Sequence, residues 1–207
     1  MLIKDITNMK NLDHNLIPQT ILAEINANRN KPHLVLPCYA EKLQYFEGFN
    51  YVQPGQKGID TAEGKAAVVE YIDFLLVQDE LPGLIQHEIL IEIAEERAKE
   101  LSKRKSIECP DNGITDKTPE ERIGKSINWE KMCGECLYVG SSISGADIAA
   151  TLLIDDGNEE RTNRKLLLNK DARFIGIGLG SNERLGTIAV IEVIGGEQVS
   201  NNINQDY

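Results

Sequence analysis

Apolar residues recur every three or four positions in several stretches of the first two thirds of the chain, which is the spacing of an amphipathic helix. This pattern predicts helices from about Ile17, from Ala62, from about His87 to Lys103 and from Gly145. The segment Thr118–Glu121 has the composition of a helix start, with a Thr cap, Pro at the first helical position and Glu at the third.

The pattern changes near the end of the chain. Residues 174–179 and 187–194 are largely apolar runs rich in Ile, and they predict two strands. Residues 181–186 form the hairpin loop between them. The segment 38–61 mixes Gly, Pro and aromatic residues and predicts an irregular loop. Helices followed by a hairpin indicate an α+β fold.

The two ends of the chain are polar. We expect an N-terminal arm over 1–15, a domain over 16–196 and a C-terminal tail over 197–207. Both ends carry few large apolar groups, so packing onto their own domain would offset little of an ordering entropy of about 1 kcal/mol or more per residue. The sequence therefore predicts that the arm and the tail contact other chains.

Charge and composition exclude some functions. The 207 residues carry a net charge of −11, which argues against a nucleic-acid binder and against electrostatic docking to an anionic membrane. The first residues contain no apolar run of a secretory leader, so a cytoplasmic location is expected. In a reducing compartment, the four cysteines are expected to remain thiols.

Several separated blocks, in the right order, resemble the bacterial, plant and protist branch of the CAP superfamily (cysteine-rich secretory proteins, antigen 5 and pathogenesis-related 1 proteins). They are Glu63–Val68, Pro119–Ile123, Gly134–Glu135, Leu152–Gly157, Arg161–Lys165, Phe174–Gly178 and Val190–Gly196. The resemblance spans roughly residues 17–196. It implies a three-layer α-β-α sandwich.

The resemblance also implies a cleft lined by two histidines and two acidic residues, a donor set that suits zinc. Glu135 matches the glutamate of the "GEN" box, and the second acid falls at Asp155 or Asp156. The histidine positions hold Asn163 and Asp111. We therefore expect no metal or other cofactor at this cleft. Two alternatives are open for the remaining carboxylates: a loose calcium or magnesium site, or the favoured one, a polar cleft whose charges face water.

Two other motifs resemble functional sites. Cys133 and Cys136 form a lone C-x-x-C, for which an incidental pair of thiols is favoured over a redox site or a zinc site with Cys109 and Asp111. The alternate glycines of Gly176–Gly180 lie within a predicted strand, not at a helix start. They therefore predict close helix-on-sheet packing instead of a phosphate loop.

Three functions follow as hypotheses. The first is a non-catalytic intracellular subunit that binds other proteins of a larger assembly, with the cytoskeleton or a cilium as the setting considered. The second is a binder of a small apolar ligand, because the family is associated with sterols and other lipids. A hydrophobic pocket lined by 38–61 would favour it. The third, a hydrolase, is disfavoured by the missing histidines. We expect neither a nucleic-acid partner nor insertion into a membrane.

Overall fold

The computed structural model describes the backbone of residues 2–55, 57–104 and 117–197, and their side chains from residue 16 onward. The helices of this part are α1 (Leu2–Asn30), α2 (Pro32–Lys42), α3 (Lys65–Val77), α4 (Glu88–Leu101), α5 (Pro119–Ile123), α6 (Gly145–Ile154) and α7 (Thr162–Leu167). The strands are β1 (Phe46–Glu47), β2 (Asn50–Tyr51), β3 (Ile59–Asp60), β4 (Ile85–Gln86), β5 (Trp129–Gly140), β6 (Phe174–Asn182) and β7 (Gly186–Glu197).

The main sheet has four strands in the order β4-β6-β7-β5. Strands β6 and β7 form the predicted hairpin, with Phe174 opposite Ile194 and Ser181 opposite Thr187. Strand β5 pairs antiparallel with β7, and the short β4 runs parallel to β6. Strands β1, β2 and β3 form a separate antiparallel sheet.

Helices cover both faces of the main sheet. Helices α4 and α5 pack on one face, and α1, α6 and α7 pack on the other. Helices α2 and α3 form a pair beside α1 and α6. Because β7 is covered on both sides, its residues from 188 to 195 are all buried, and all of them except Glu192 are apolar or glycine. The predicted three-layer α-β-α sandwich is confirmed.

Helix α4 lies directly on the backbone of β6. A Cβ atom added to Gly176 would lie 2.1 Å from the carbonyl carbon of Leu90, and one added to Gly178 would lie 2.2 Å from that of Ala94. Both distances are far below van der Waals contact. The interpretation of the alternate glycines as a helix-packing track is therefore correct.

The helix starts predicted at Thr118 and at Gly145 are also present. Thr118 Oγ1 accepts a hydrogen bond from the Glu121 amide at 3.3 Å, and the Glu121 carboxylate accepts one from the Thr118 amide at 3.0 Å. This is the reciprocal capping box. Ser144 Oγ accepts a hydrogen bond from the Asp147 amide at 3.3 Å and so caps the N-terminus of α6.

The structure corrects the predicted boundaries in the first part of the chain. The segment 38–61 is not an irregular loop: its first residues complete α2, and β1 to β3 follow. Helix α2 begins with Pro32 at a first-turn position, where a missing amide proton costs nothing. Helix α3 begins at Lys65, after the predicted Ala62.

Helix α1 begins at Leu2, well before the predicted Ile17, since the polar residues of 2–15 are compatible with a helical backbone. The division into arm, domain and tail stays a prediction, and residues 198–207 lie outside the described part. No helix within the described ranges is both long enough and apolar enough to cross a lipid bilayer.

Candidate functional site

The structure separates the residues that the resemblance assigned to one cleft. Glu135 faces α4 and α5 from β5, and its carboxylate contacts Arg97 and Arg122. Cys136, the next residue, faces the opposite side, where its Sγ lies 3.7 Å from the Asn163 carbonyl oxygen. Successive side chains of a strand point to opposite faces, so Glu135 and Asn163 are on different sides of the sheet. Asp111 lies outside the described residues.

Asp155 and Asn163 do lie together, in a closed hydrogen-bond network. Asp155 ends α6 in a left-handed conformation with φ 57°. Its carboxylate accepts from the Asn163 amide at 2.9 Å, from Asn163 Nδ2 at 2.7 Å and from the Arg164 amide at 3.3 Å. A carboxylate that accepts these amides caps the N-terminus of α7. The buried Asp155 is therefore a structural cap.

Asp156 holds the segment that leads into α3. Its carboxylate accepts hydrogen bonds from the amides of Ala62 and Glu63, at 2.7 and 2.8 Å. Glu63 returns the contact, because it accepts from the Gly157 amide at 2.7 Å and pairs with both terminal nitrogens of Arg161. The Arg161 fork and the Gly157 amide lower the pKa of Glu63 to about 2. The loop after α6 is thus locked onto the start of α3.

A carboxylate within α3 is held by α7. Glu70 accepts from Arg164 Nη1 and Nη2 at 2.6 and 2.7 Å, a bidentate pair, and the Arg164 guanidinium lies over the Tyr71 ring at 4.7 Å. These contacts use both Asp residues of the block Leu152–Gly157 and both Arg residues of the block Arg161–Lys165 for structure. Together they join the segment from the end of α6 to α7 to the first half of α3 and the residues before it.

On the other face of the sheet, Glu135 and Glu192 are cross-strand neighbours beside Arg122. Arg122 Nη2 donates to Glu135 Oε2 at 2.5 Å and to Glu192 Oε1 at 3.1 Å. Glu192 is fully buried. Burial, followed by the nearby Glu135 charge, raises the pKa of Glu192 to about 7, against the opposing effect of Arg122. One arginine thus holds two carboxylates under α5.

Because of Glu192, the free energy of unfolding is expected to fall as the pH rises from 4.5, the ordinary pKa of a glutamate, to about 7, the pKa of Glu192 in the folded protein. In that window the folded protein still holds the Glu192 proton while the unfolded chain has lost it, so unfolding releases a proton and higher pH favours it. The loss should be on the order of 1–3 kcal/mol, since one pKa unit corresponds to about 1.4 kcal/mol.

The matched variant is Glu192→Gln, which keeps the shape and the acceptor for Arg122 but cannot ionise. Thermal unfolding at several pH values should show the variant gaining stability on the wild type as the pH increases from 5 to 8. Parallel curves for the two proteins would contradict the assignment of this slope to Glu192.

The two thiols of the C-x-x-C do not share a site. Cys133 packs with the apolar cluster beneath α4 and α5, and Cys136 is buried in the main core on the other face of β5. Burial raises the pKa of Cys133 to about 12 and raises that of Cys136 as well. Both are therefore protonated, unreactive packing residues. Cys109 and Asp111, the further ligands considered for zinc, lie outside the described part.

An apolar cavity of about 470 Å³ lies between α3, α6 and the small sheet. Its apolar lining comes from five elements and the turn before α6, and it comprises Phe46, Ile59, Ala67, Val68, Tyr138, Ile143, Ala150 and Ile154. Asp156 and Thr61 also line it, so the locked loop described above forms part of its wall. The segment 42–61 supplies the side facing α6.

One side of the cavity is polar. Lys42 Nζ lies 3.8 Å from Asp147 Oδ1 and 5.9 Å from the centre of the Tyr51 ring, and all three residues line the cavity. Gln53 Nε2 donates to the Tyr51 hydroxyl at 2.8 Å. Other polar groups, such as Asp60, Asp156 and Ser141, also line the cavity. A concave site that combines apolar surface with convergent polar groups suits a small molecule.

Comparison with solved structures gives matches at low identity. An outer surface protein from Borrelia burgdorferi is 20% identical over 61% of this chain and 89% of its own, with a TM-score of 0.44. The venom allergen-like protein 4 of Schistosoma mansoni is 14% identical over 82% of this chain and 91% of its own, with a TM-score of 0.38. No protein-family model and no curated protein matches the sequence.

Neither likeness carries a function to this chain, so the site has to be judged on its own residues. The sequence indicated the segment 38–61 as a potential pocket wall, but it gave no sign that Tyr138, Ala150 and Ile154 would face it. A usable signal was the cluster of aromatic residues at 45–51 in a chain with only 5% aromatic residues.

Proposed function

We propose that this protein is a non-catalytic binding protein whose ligand is a small, largely apolar molecule such as a sterol or another lipid. The observation that carries the proposal is the cavity between α3, α6 and the segment 42–61. Its volume of about 470 Å³ lies within the range of roughly 300–1,000 Å³ that is usual for ligand pockets.

The chemistry of the lining supports binding over catalysis. Ser141, Ser142 and Ser144 face the cavity, but no histidine or cysteine is among its described lining residues. A serine nucleophile needs a neighbouring base. His87 is instead the N-cap residue of α4, with Nε2 at 3.2 Å from Glu197, and His33 is exposed on α2.

Filling the cavity should abolish ligand binding. Ala150 lies on α6, lines the cavity and is almost fully buried. In Ala150→Phe the ring would occupy the space of the ligand. We expect the affinity for a fluorescent sterol or a dansyl-labelled fatty acid, measured by fluorescence titration, to fall at least about tenfold, or ~1.4 kcal/mol.

The matched control is Ala66→Phe, because Ala66 is exposed on α3 and does not line the cavity. It should bind both probes with wild-type affinity. Melting temperatures of both variants separate loss of binding from loss of folding. Wild-type affinity in a folded Ala150→Phe protein, or no binding of either probe by the wild type, would contradict the proposal.

The second candidate is the role of an interaction subunit in an intracellular assembly. An exposed apolar strip on the outer helix pair favours it. Leu76 and Val77 end α3, and Leu34 lies in the first turn of α2. The ion pair of Lys31 with Glu80, at 2.8 Å, places these two helix ends side by side. Grouped apolar side chains on a surface often mark a protein contact.

Removing this strip should release protein partners. Leu76→Ser together with Val77→Ser keeps the fold, because both side chains are already exposed. Quantitative mass spectrometry after affinity purification from the native cell should show co-purifying proteins lost from this variant. They should be retained by Ile85→Ser, which removes an exposed apolar residue elsewhere. Equal recovery with both variants would exclude the strip as the contact.

A further inference from the structure

The open side of the cavity carries apolar side chains that point into solvent. Ile143 is 77% exposed and Ile59 is 48% exposed, and both line the cavity. Phe49 is 64% exposed, and its carbonyl oxygen accepts a hydrogen bond from the amide of Thr61, another lining residue, at 2.8 Å. We call Phe49, Ile59 and Ile143 the rim.

Ile143 is held in its exposed position by an ordered turn. The Ser142 amide donates to the Tyr138 hydroxyl at 3.1 Å, and the Ser144 amide donates to Ser142 Oγ at 3.1 Å. Ser144 then caps α6. The residues from 141 to 146 carry no charge. These hydrogen bonds lie on both sides of Ile143 and hold the backbone that exposes its side chain to solvent.

The other side of the rim is held by the small sheet. Strand β2 pairs with β3, with Tyr51 opposite Ile59, and Asn50 Nδ2 donates to the Asp60 carboxylate at 2.8 Å. Phe46 packs against Tyr51 at 4.9 Å between ring centres. The three rim side chains are therefore presented by two preformed segments, each of which contributes to the lining of the cavity.

We propose that the rim docks onto a lipid surface with neutral headgroups, so that the cavity opens toward the acyl chains. This inference rests on the proposed binding function, since an apolar ligand resides in lipid and has to cross water to reach any other opening. Exposed apolar side chains, one of them on an uncharged turn, suit the interface between headgroups and acyl chains. The docking is peripheral and needs no membrane-spanning segment.

Charge decides between neutral and anionic lipid. The cavity is lined by Lys42 and Lys57 on one hand and by Asp60, Asp147 and Asp156 on the other, and the whole chain carries −11. Such a surface gains nothing from an anionic bilayer, which attracts clusters of Lys and Arg. The same negative charge opposes a second copy as occupant, because two identical acidic chains repel each other.

The test uses the full chain with vesicles of pure phosphatidylcholine, in a flotation assay. We expect the wild type to float with the vesicles and the variant Phe49→Ser/Ile143→Ser to lose at least about fivefold of the bound fraction. The single variant Phe49→Ser should also lose flotation. Because Phe49 does not line the cavity, this variant should bind the dansyl-labelled fatty acid in vesicle-free buffer as the wild type does. The matched control is Val77→Ser/Ile85→Ser. It removes two exposed apolar residues that do not line the cavity, and it should float with the vesicles as the wild type does.

The possible results separate this surface from the ligand site. Equal flotation of the rim variant and the wild type overturns the rim as the docking surface. Stronger flotation with vesicles containing phosphatidylserine overturns the assignment of neutral headgroups. A rim-dependent dimer in sedimentation velocity, without flotation, shows a second copy as the occupant and also overturns the proposal. Failure of the wild type to bind the probe in vesicle-free buffer counts against the binding function alone, since flotation is measured without the probe.

Discussion

Replacing Gly178 with alanine should destabilise the protein by about 3 kcal/mol or more, at the upper end for overpacking of a core. The added Cβ would lie 2.2 Å from the carbonyl carbon and oxygen of Ala94, in the backbone of α4. No side-chain rotation can relieve a contact with helix backbone. The helix would have to move away from β6, and the apolar cluster that includes Ala98, Leu101 and Val190 would lose contacts with it.

A second glycine in the same sheet provides the control for Gly178→Ala. A Cβ added to Gly196, in β7, would have its nearest neighbour at 3.9 Å, which is ordinary contact. Gly196→Ala should therefore change stability by no more than about 0.5 kcal/mol. Urea unfolding of both variants measures the difference. Equal stability of the two alanine variants would show that α4 is not seated on the glycine track as described.

Substitution of Arg29 by methionine should cost about 3 kcal/mol or more of stability, because charged hydrogen bonds would be lost and buried carbonyl oxygens would be left without donors. Arg29 is fully buried near the end of α1. Its guanidinium donates to the carbonyl oxygens of Pro82 at 2.9 Å, Leu167 at 2.7 Å and Asn169 at 3.0 Å. It thereby joins α1, the loop before β4 and the end of α7.

Lys31→Met is the matched control for Arg29→Met. Lys31 follows α1 directly, but its ion pair with Glu80 is more than half exposed on both sides. Such a surface pair contributes about 1 kcal/mol or less. Thermal or urea unfolding of both variants should therefore show a large loss for Arg29 and a small one for Lys31. A loss below about 1 kcal/mol for Arg29→Met would mean that water replaces the guanidinium at these carbonyl groups.

Local chemistry made a good part of the fold predictable. The capping box at Thr118 and the Ser144 cap depend on residues three positions apart, so they can be read from the chain. The helix α4, the hairpin of β6 and β7 and the glycine track of β6 also follow from short-range periodicity and residue size. Together with the resemblance to the CAP superfamily, these signals led to the correct α-β-α layering.

Other features depend on partners that are distant in the chain. Strand β5 was not predicted, because helices cover both of its faces and no alternation of polar and apolar residues marks it. Its pairing with β7 also settles the orientation of Glu135 and Cys136: one faces α4 and α5, and the other faces Asn163. A motif match fixes a residue in sequence, whereas the pleat of the strand fixes the face on which its side chain lies.

The cavity is the clearest case of this kind. Its walls come from Phe46, Val68, Tyr138 and Ile154, which are far apart in sequence and meet only when α3, α6 and the small sheet pack together. Local patterns could indicate that each of these residues is apolar. Whether packed apolar walls close on each other or leave space depends on the distances between whole elements. Those distances are set here by long-range contacts such as those of Asp156 with residues 62–63 and of Arg164 with Glu70, which only the assembled fold brings together.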